Sequence, residues 1–378
     1  MCFLLGGITQ FFLGLPNTAY TYSVVLLFYF IILLYTYTRG VVMVDRVVIS
    51  TVLYGSWIFI SGAVNGSGAI LIAIYTIFFL LPLGCYLFFK INQKNNYISH
   101  RHISRLYLII ACIQAPILLM QRFGYSALIS FNRSSQQIVH EDFLFGSFFL
   151  KADHALGFFL LMNIFNLIEN NRSQNITKHA WLFYGLLGGT VFLSESNITK
   201  LLLLVFVAYL IFKSFPRKIR IISLVIAILV TPLLMQQAAK IKNVQTQLHF
   251  IDTQYNVTKS WENFEKGIAK RPQVIITYAR KIPLKWIGDG PYSYFDILKG
   301  KFAKTKHFSQ MIWTYADLGL IGLFLFLLLL WSLVRSLEIS GYLSAIVFGV
   351  ILIYSLMTTI FSDLAIMISL ISLLQKRK

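Results

Sequence analysis

Asp317 stands two turns into an apolar run, and His307 lies ten residues before it, just ahead of that run. A carboxylate so placed is costly and normally has a partner or a pathway role. An imidazole is the side chain suited to proton transfer near neutral pH. Upstream, the polar segment 237–310 holds thirteen Lys or Arg residues against five acids, a net of +8. Arg271 and Arg280 bracket a short helix that Pro272 would start. Either could face lipid headgroups, or clamp a phosphoryl group through two parallel hydrogen bonds. Proton transfer beside a bound phosphate is the chemistry these types suggest.

Other residues could complete such a site. Gly288-Asp289-Gly290-Pro291 is a turn, and Gly288 and Gly290 permit backbone shapes closed to other residues. Tyr292, Tyr294 and Phe295 beside it could stack on sugar rings or anchor the loop at an interface. Gly319 and Gly322 in Asp317-Leu318-Gly319-Leu320-Ile321-Gly322 suit close helix packing. Lys151, Asp153 and His154 gather where a helix starts, with Asp153 as its N-cap. A helix start with cations beside it is an anion site. Ser194-Glu195-Ser196-Asn197 and Lys200 form another such end. Asp363 is either a buried partner for one of these cations or a cap.

The elements that must position them are membrane helices. Of 378 residues, 57% are hydrophobic and 12% charged, with mean hydropathy +0.71; a soluble domain carries about 25% charged residues. The apolar runs have the length that spans a core of roughly 30 Å, where only helices satisfy their own backbone. The fold class is therefore all-α, a polytopic membrane protein. Twelve helices are expected, at about 2–14, 19–38, 47–64, 68–90, 105–121, 154–169, 180–194, 199–213, 220–236, 311–333, 340–356 and 358–374. The whole chain, 1–378, is one membrane domain, with 237–310 a loop subdomain carrying short amphipathic helices, among them 257–270.

Charge in the short loops sets the orientation. Segments 90–105 and 213–220 and the tail Lys376-Arg377-Lys378 are basic and belong on the cytoplasmic side. Counting from them puts both termini inside, and 122–153, 194–200 and 237–310 outside. A loop longer than about 60 residues escapes the positive-inside rule, so the outer face carries a positive field that gathers anions. The formal charge of +19 fits this reading better than nucleic-acid binding, since no aromatic-basic module is present. Cys2, Cys85 and Cys112 have no paired spacing, so neither a disulfide framework nor a zinc site is implied. The first run lacks a basic n-region and reads as a retained helix.

Together these outer segments resemble the O-antigen ligase and O-antigen polymerase superfamily over about half of the chain, from Phe143 to Phe326. Phe145, Phe148 and Phe149 followed by Asp153-His154-Ala155-Leu156-Gly157-Phe158-Phe159 are similar to its helix start. Leu193-Ser194-Glu195-Ser196 is similar to its Ser tract. Arg271, Pro283, Gly288 and Gly290 resemble its loop, and His307 with Asp317 to Gly322 resembles its closing helix. Asn197 stands where the family often has Arg, and Phe308 where it usually has Asn.

The resemblance implies a metal-independent glycosyl transfer, without cofactor, at the periplasmic face of a bacterial inner membrane. A sugar hydroxyl attacks the anomeric carbon of a glycan on undecaprenyl pyrophosphate. It implies Arg271, Arg280, Lys200 and Lys151 on the pyrophosphate, and His307 on the acceptor hydroxyl. Asp317 would hold His307 or a nearby cation; His154, Gly288, Gly290, Tyr292 and Tyr294 would line the substrate. Expected partners are that lipid-linked glycan, membrane lipids and a chain-length regulator protein, with no nucleic acid. A repeat-unit polymerase is favoured. The alternatives are a ligase to lipid A core and a lipid-oligosaccharide flippase or transporter.

Overall fold

The computed structural model describes residues 6–40, 43–138, 140–150, 152–214, 216, 219, 259–266, 271–281, 283–294, 309–337 and 339–374. Among them the chain is all helical, with no strand. In order, the helices are α1 (Gly6–Leu13), α2 (Asn17–Arg39), α3 (Arg46–Val64), α4 (Ala69–Phe79), α5 (Leu81–Asn95) and α6 (His100–Phe123). After the short α7 (Tyr125–Leu128) come α8 (Asp153–Gln174), α9 (Ala180–Leu193) and α10 (Asn197–Ser214). The small α11 (Ser260–Glu265) and α12 (Arg271–Lys281) precede α13 (Gln310–Ser336), α14 (Gly341–Met357) and α15 (Leu364–Leu374).

Local chemistry explains many of the boundaries. Asp45 caps α3 by accepting the Val47 and Val48 N–H groups, and Ser309 caps α13 through the Ile312 N–H. Asp363 accepts from Ala365 and Ile366 N–H at 3.0 and 3.1 Å. The cap reading of Asp363 is therefore the one its contacts support. Gly40, Asn96 and Asn175 end α2, α5 and α8 in left-handed conformations, as residues tolerant of positive φ do.

Among the described residues, five stretches are long and apolar enough to cross a membrane: 19–39, 46–64, 69–95, 100–123 and 310–336. The shorter apolar helices α9, α10, α14 and α15 accompany them, and such helices mark a membrane-embedded protein. The centre is built from α8 and α15. From Ala155 to Leu167 every α8 residue is buried, as is Leu364 to Leu373 in α15, the pattern of a helix surrounded by others. α15 packs on α8, α5 and α6, while α13 packs on α3 and α14.

Several expected elements differ. The span 68–90 is two helices, because Pro82 lacks the N–H that would continue the ladder and α5 restarts at Leu81; the Leu80 carbonyl accepts the Tyr29 hydroxyl at 2.7 Å. α15 begins at Leu364, and 358–363 is a turn. The expected helix 257–270 is described only as Ser260–Glu265. Expected helix 220–236 lies outside the described residues, as do 237–258 and 295–308.

Of the expected first helix, 2–14, residues Gly6–Leu13 are described, as α1. It lies along segment 133–150: the Gly7 N–H donates to Ser147 O at 3.1 Å, the Arg133 N–H donates to Phe11 O at 2.8 Å, and Gln10 Oε1 accepts the Leu150 N–H at 3.0 Å. A side chain on Gly7 would meet the Phe148 carbonyl oxygen at 2.0 Å. The described part of the first apolar run is thus packed along 133–150.

Contacts sort the helix ends into two layers. One layer joins Asp45 to Lys90, Arg105 to the carbonyls of Asn175 and Ile176, Glu169 to Ser340, and His100 to the Leu373 carbonyl. The other joins Asn65 to Gly288, Ser309 to Ser355, Gln310 to Thr358 and His154 to Ser196.

Candidate functional site

Two polar centres lie in the second layer, and the first is a clasp between loop 283–294 and a break in α13. Gly319 sits inside that helix at φ 70, ψ −165, a conformation that only glycine adopts readily. The break frees backbone groups in apolar surroundings, where each needs a partner. The loop supplies them. Leu320 and Ile321 N–H donate to Lys285 O and Trp286 O at 2.9 and 3.3 Å, while Asp289 and Gly290 N–H donate to Ala316 O and Asp317 O at 3.0 and 2.9 Å. From α3, the Trp57 indole donates to Leu318 O at 2.9 Å, Ser61 to Asp317 O at 3.1 Å, and Asn65 to Gly288 O at 2.9 Å. A Cβ on Gly288 would stand 2.2 Å from the Asp317 carbonyl carbon, and one on Gly319 2.4 Å from Trp286 O. Both glycines are required by this close approach.

The Asp317 carboxylate is wholly buried and accepts four hydrogen bonds. Oδ1 takes Ser293 Oγ at 2.9 Å and the Tyr294 N–H at 2.7 Å; Oδ2 takes the Tyr292 N–H at 3.0 Å and the Trp313 indole at 2.6 Å. None of these donors is a histidine or a cation. Among the described residues, then, Asp317 holds the loop. It also fixes Tyr292 at φ 67, a strained value for a bulky residue. Tyr294 is 1% exposed, and the Tyr292 ring packs edge-on against Tyr75 at 5.2 Å. Burial, with the Tyr22 phenol and the Asp317 carboxylate nearby, pushes the Tyr292 phenol up to about 12. Burial and Asp317 likewise raise that of Tyr294. Tyr294 is thus enclosed in the clasp, while the Tyr292 ring is partly exposed beside it.

The second centre lies where α8, α10 and α14 meet. His154 Nδ1 is 3.2 Å from Asp153 Oδ2 and 3.1 Å from Ser196 Oγ. Thr199 Oγ1 donates to Ser196 Oγ at 2.7 Å and lies 2.5 Å from the Tyr354 hydroxyl. α10 comes this close because residue 157 is glycine: a Cβ there would be 2.1 Å from Thr199 Oγ1. Ala152, not Asp153, is the residue before the first turn of α8. Asp153 pairs with the histidine instead of capping the helix. The hydrogen bond at Nδ1 is made with the Ser196 hydroxyl, while the Asp153 carboxylate lies within ion-pair distance of the same nitrogen. Tyr354 adjoins Ser355, whose carbonyl accepts the Ser309 hydroxyl, so α14 connects this centre to the start of α13.

The remaining expected residues divide as follows. Lys200 sits one turn into α10, partly buried, and its N–H donates to Ser196 O at 3.1 Å. Arg280 is exposed near the end of α12. Arg271 opens α12, with its side chain outside what is described, and Lys151 and His307 lie outside the described residues altogether. Gly288 and Gly290 belong to the clasp. Among the described residues no three His, Cys, Asp or Glu side chains converge as metal ligands would. Trp57, Ser61 and Asn65 were not anticipated. Their four-residue spacing, a polar stripe down an apolar helix, was the available signal. Thr199 and Tyr354 carry no comparable sequence mark. No family model matches this chain, and no curated protein or solved structure is similar to it.

Proposed function

We propose that this protein polymerises lipid-linked oligosaccharide repeat units, transferring glycan from undecaprenyl pyrophosphate to a sugar hydroxyl at the outer face of the inner membrane. The observation that carries the reading is the Asp153–His154 pair, set among the hydroxyls of Ser196, Thr199 and Tyr354 in the layer that also holds the clasped loop. The acceptor hydroxyl gives its proton to an imidazole, its oxygen bonds to the anomeric carbon, and the carbon–oxygen bond to phosphate breaks. The electron pair leaves with the pyrophosphate, where positioned cations stabilise it. Lys200, Arg271 and Arg280 take that role. His154, oriented by Asp153, takes the proton; His307 is the second histidine to test. Asp317 positions the loop. Twelve crossings with the loop outside remain part of the proposal, less the first crossing if α1 stays on the outer face.

Deleting the gene and resolving the surface polysaccharide on a gel tests this. A single repeat on the lipid core is expected. Bare core with polymer kept on its carrier lipid would point to the ligase, and unaltered glycan would sink both.

A further inference from the structure

We propose that the cleft between α2, the α4–α5 break and the 358–363 turn binds one neutral sugar ring, the acceptor-side residue of the glycan. Its lining is Asn17, Thr21, Tyr22, Val25, Ile77, Leu81 and Ser362, and it encloses about 190 Å³. At roughly 30 Å³ per water molecule this is room for about six waters, on the scale of a single ring. Asn17, Thr21 and Val25 recur every four residues on one face of α2. The α4–α5 break, where Pro82 interrupts the ladder, sets Ile77 and Leu81 as the opposite wall.

The lining chemistry selects the occupant. Thr21 Oγ1 donates to Asn17 Oδ1 at 3.0 Å, which orients the amide and leaves its Nδ2–H₂ to donate. The Thr21, Tyr22 and Ser362 hydroxyls add groups that both donate and accept. Val25, Ile77 and Leu81 give an aliphatic floor that suits the C–H face of a sugar. Among the described residues no charged side chain lines the cleft, so an anion finds no counter-charge there. An alkyl chain would leave the polar groups without partners, at a cost. A few placed polar groups on an apolar wall is the usual composition of a small-molecule site.

The position fits as well. The Tyr292 ring packs on Tyr75 at 5.2 Å, on the same helix as the cleft's Ile77, so the cleft adjoins the clasped loop. It supplies the open surface that the buried Tyr294 does not. Only the label of acceptor rests on the proposed reaction; the binding does not.

The test uses full-length protein in lipid nanodiscs, with Cys2→Ser and Cys112→Ser leaving only the buried Cys85 thiol and Ser362→Cys as reporter. Maleimide labelling is timed with the methyl glycosides of glucose, galactose and N-acetylglucosamine, with inorganic phosphate, and with 1-octanol. At least one glycoside should slow labelling several-fold, whereas phosphate and octanol should not. Asn17→Leu with Thr21→Val should abolish the effect. Equal protection by phosphate or octanol, protection by no glycoside, or protection surviving the double variant would each overturn the site. Should Ser362→Cys not fold, thermal stabilisation of the unmodified protein by the same glycosides, lost in Thr21→Val, decides it. Because no transfer is read, a failed polymerase assay leaves this result standing, and the reverse also holds.

Discussion

His154 and Asp317 are both ionisable residues in the layer that holds the clasped loop, yet their surroundings assign them opposite work. His154 is partly exposed, with Nδ1 against a carboxylate and a hydroxyl. Replacing it with Gln keeps a hydrogen-bonding side chain but removes proton transfer, which is worth about 10²–10⁴-fold. His154→Gln should therefore lower transfer by at least about 10²-fold while leaving thermal stability unchanged. A variant of full activity would return the proton step to His307. Asp317 is saturated by four donors. Asp317→Ala strands those donors at about 1–3 kcal/mol each, so roughly 4 kcal/mol or more should be lost. The sign of that loss is structural: protease sites in 283–294 should open in intact membranes. The sequence singled Asp317 out for the right physical reason, its costly depth. It could not say which partners satisfied it, because two of the four are backbone N–H groups 23 and 25 residues away.

At the scale of elements, helix placement was legible where apolar runs and caps coincide, as in α3, α6 and α14. It failed where the hydrophobic run continued through a break. The Leu80-Leu81-Pro82 stretch hides the α4–α5 junction, although Pro82 was a visible stop signal. Gly319 was read as a packing glycine; it is the point where α13 opens to receive the loop. Gly319→Ala should disrupt the clasp as strongly as Asp317→Ala, since the new methyl meets Trp286 O. The opposite layer is held by capping. Asp45 starts α3 and accepts from Lys90 and from the Tyr86 hydroxyl. Burial alone would raise its carboxyl, but hydrogen bonds from Lys90, Tyr86 and the Val48 N–H outweigh it and hold the group below its usual range. A carboxylate depressed in the fold stabilises it above the unfolded pKa of about 3.9, and that contribution is lost as pH falls through the folded value. Asp45→Ala should cost about 1 kcal/mol at neutral pH, with the difference from wild type vanishing in acid. Urea titrations at both pH values measure it.

For the whole molecule, contacts sort the described helix ends into two layers, and the proposal takes the layer holding the clasped loop as the outer one. The described residues of α1 pack on 133–150 through Gly7, Gln10 and Phe11, contacts that the run Ile8, Phe11, Phe12 and Leu13 does not announce in sequence. Cysteines placed at Thr9, Ser67 and Ser362 should all react with an impermeant reagent from outside, whereas one at Ser340 should react only after permeabilisation. A Thr9 cysteine that labels only from inside would restore the first crossing. The most direct test of the central claim is chemical: purified protein in bilayer nanodiscs, supplied with the radiolabelled lipid-linked repeat unit of its own cell. The account predicts a ladder of lengthened glycans with one undecaprenyl pyrophosphate released per addition, and its loss in His154→Gln. Folded protein, its 283–294 loop protected from protease, that neither lengthens the glycan nor releases the carrier would contradict it.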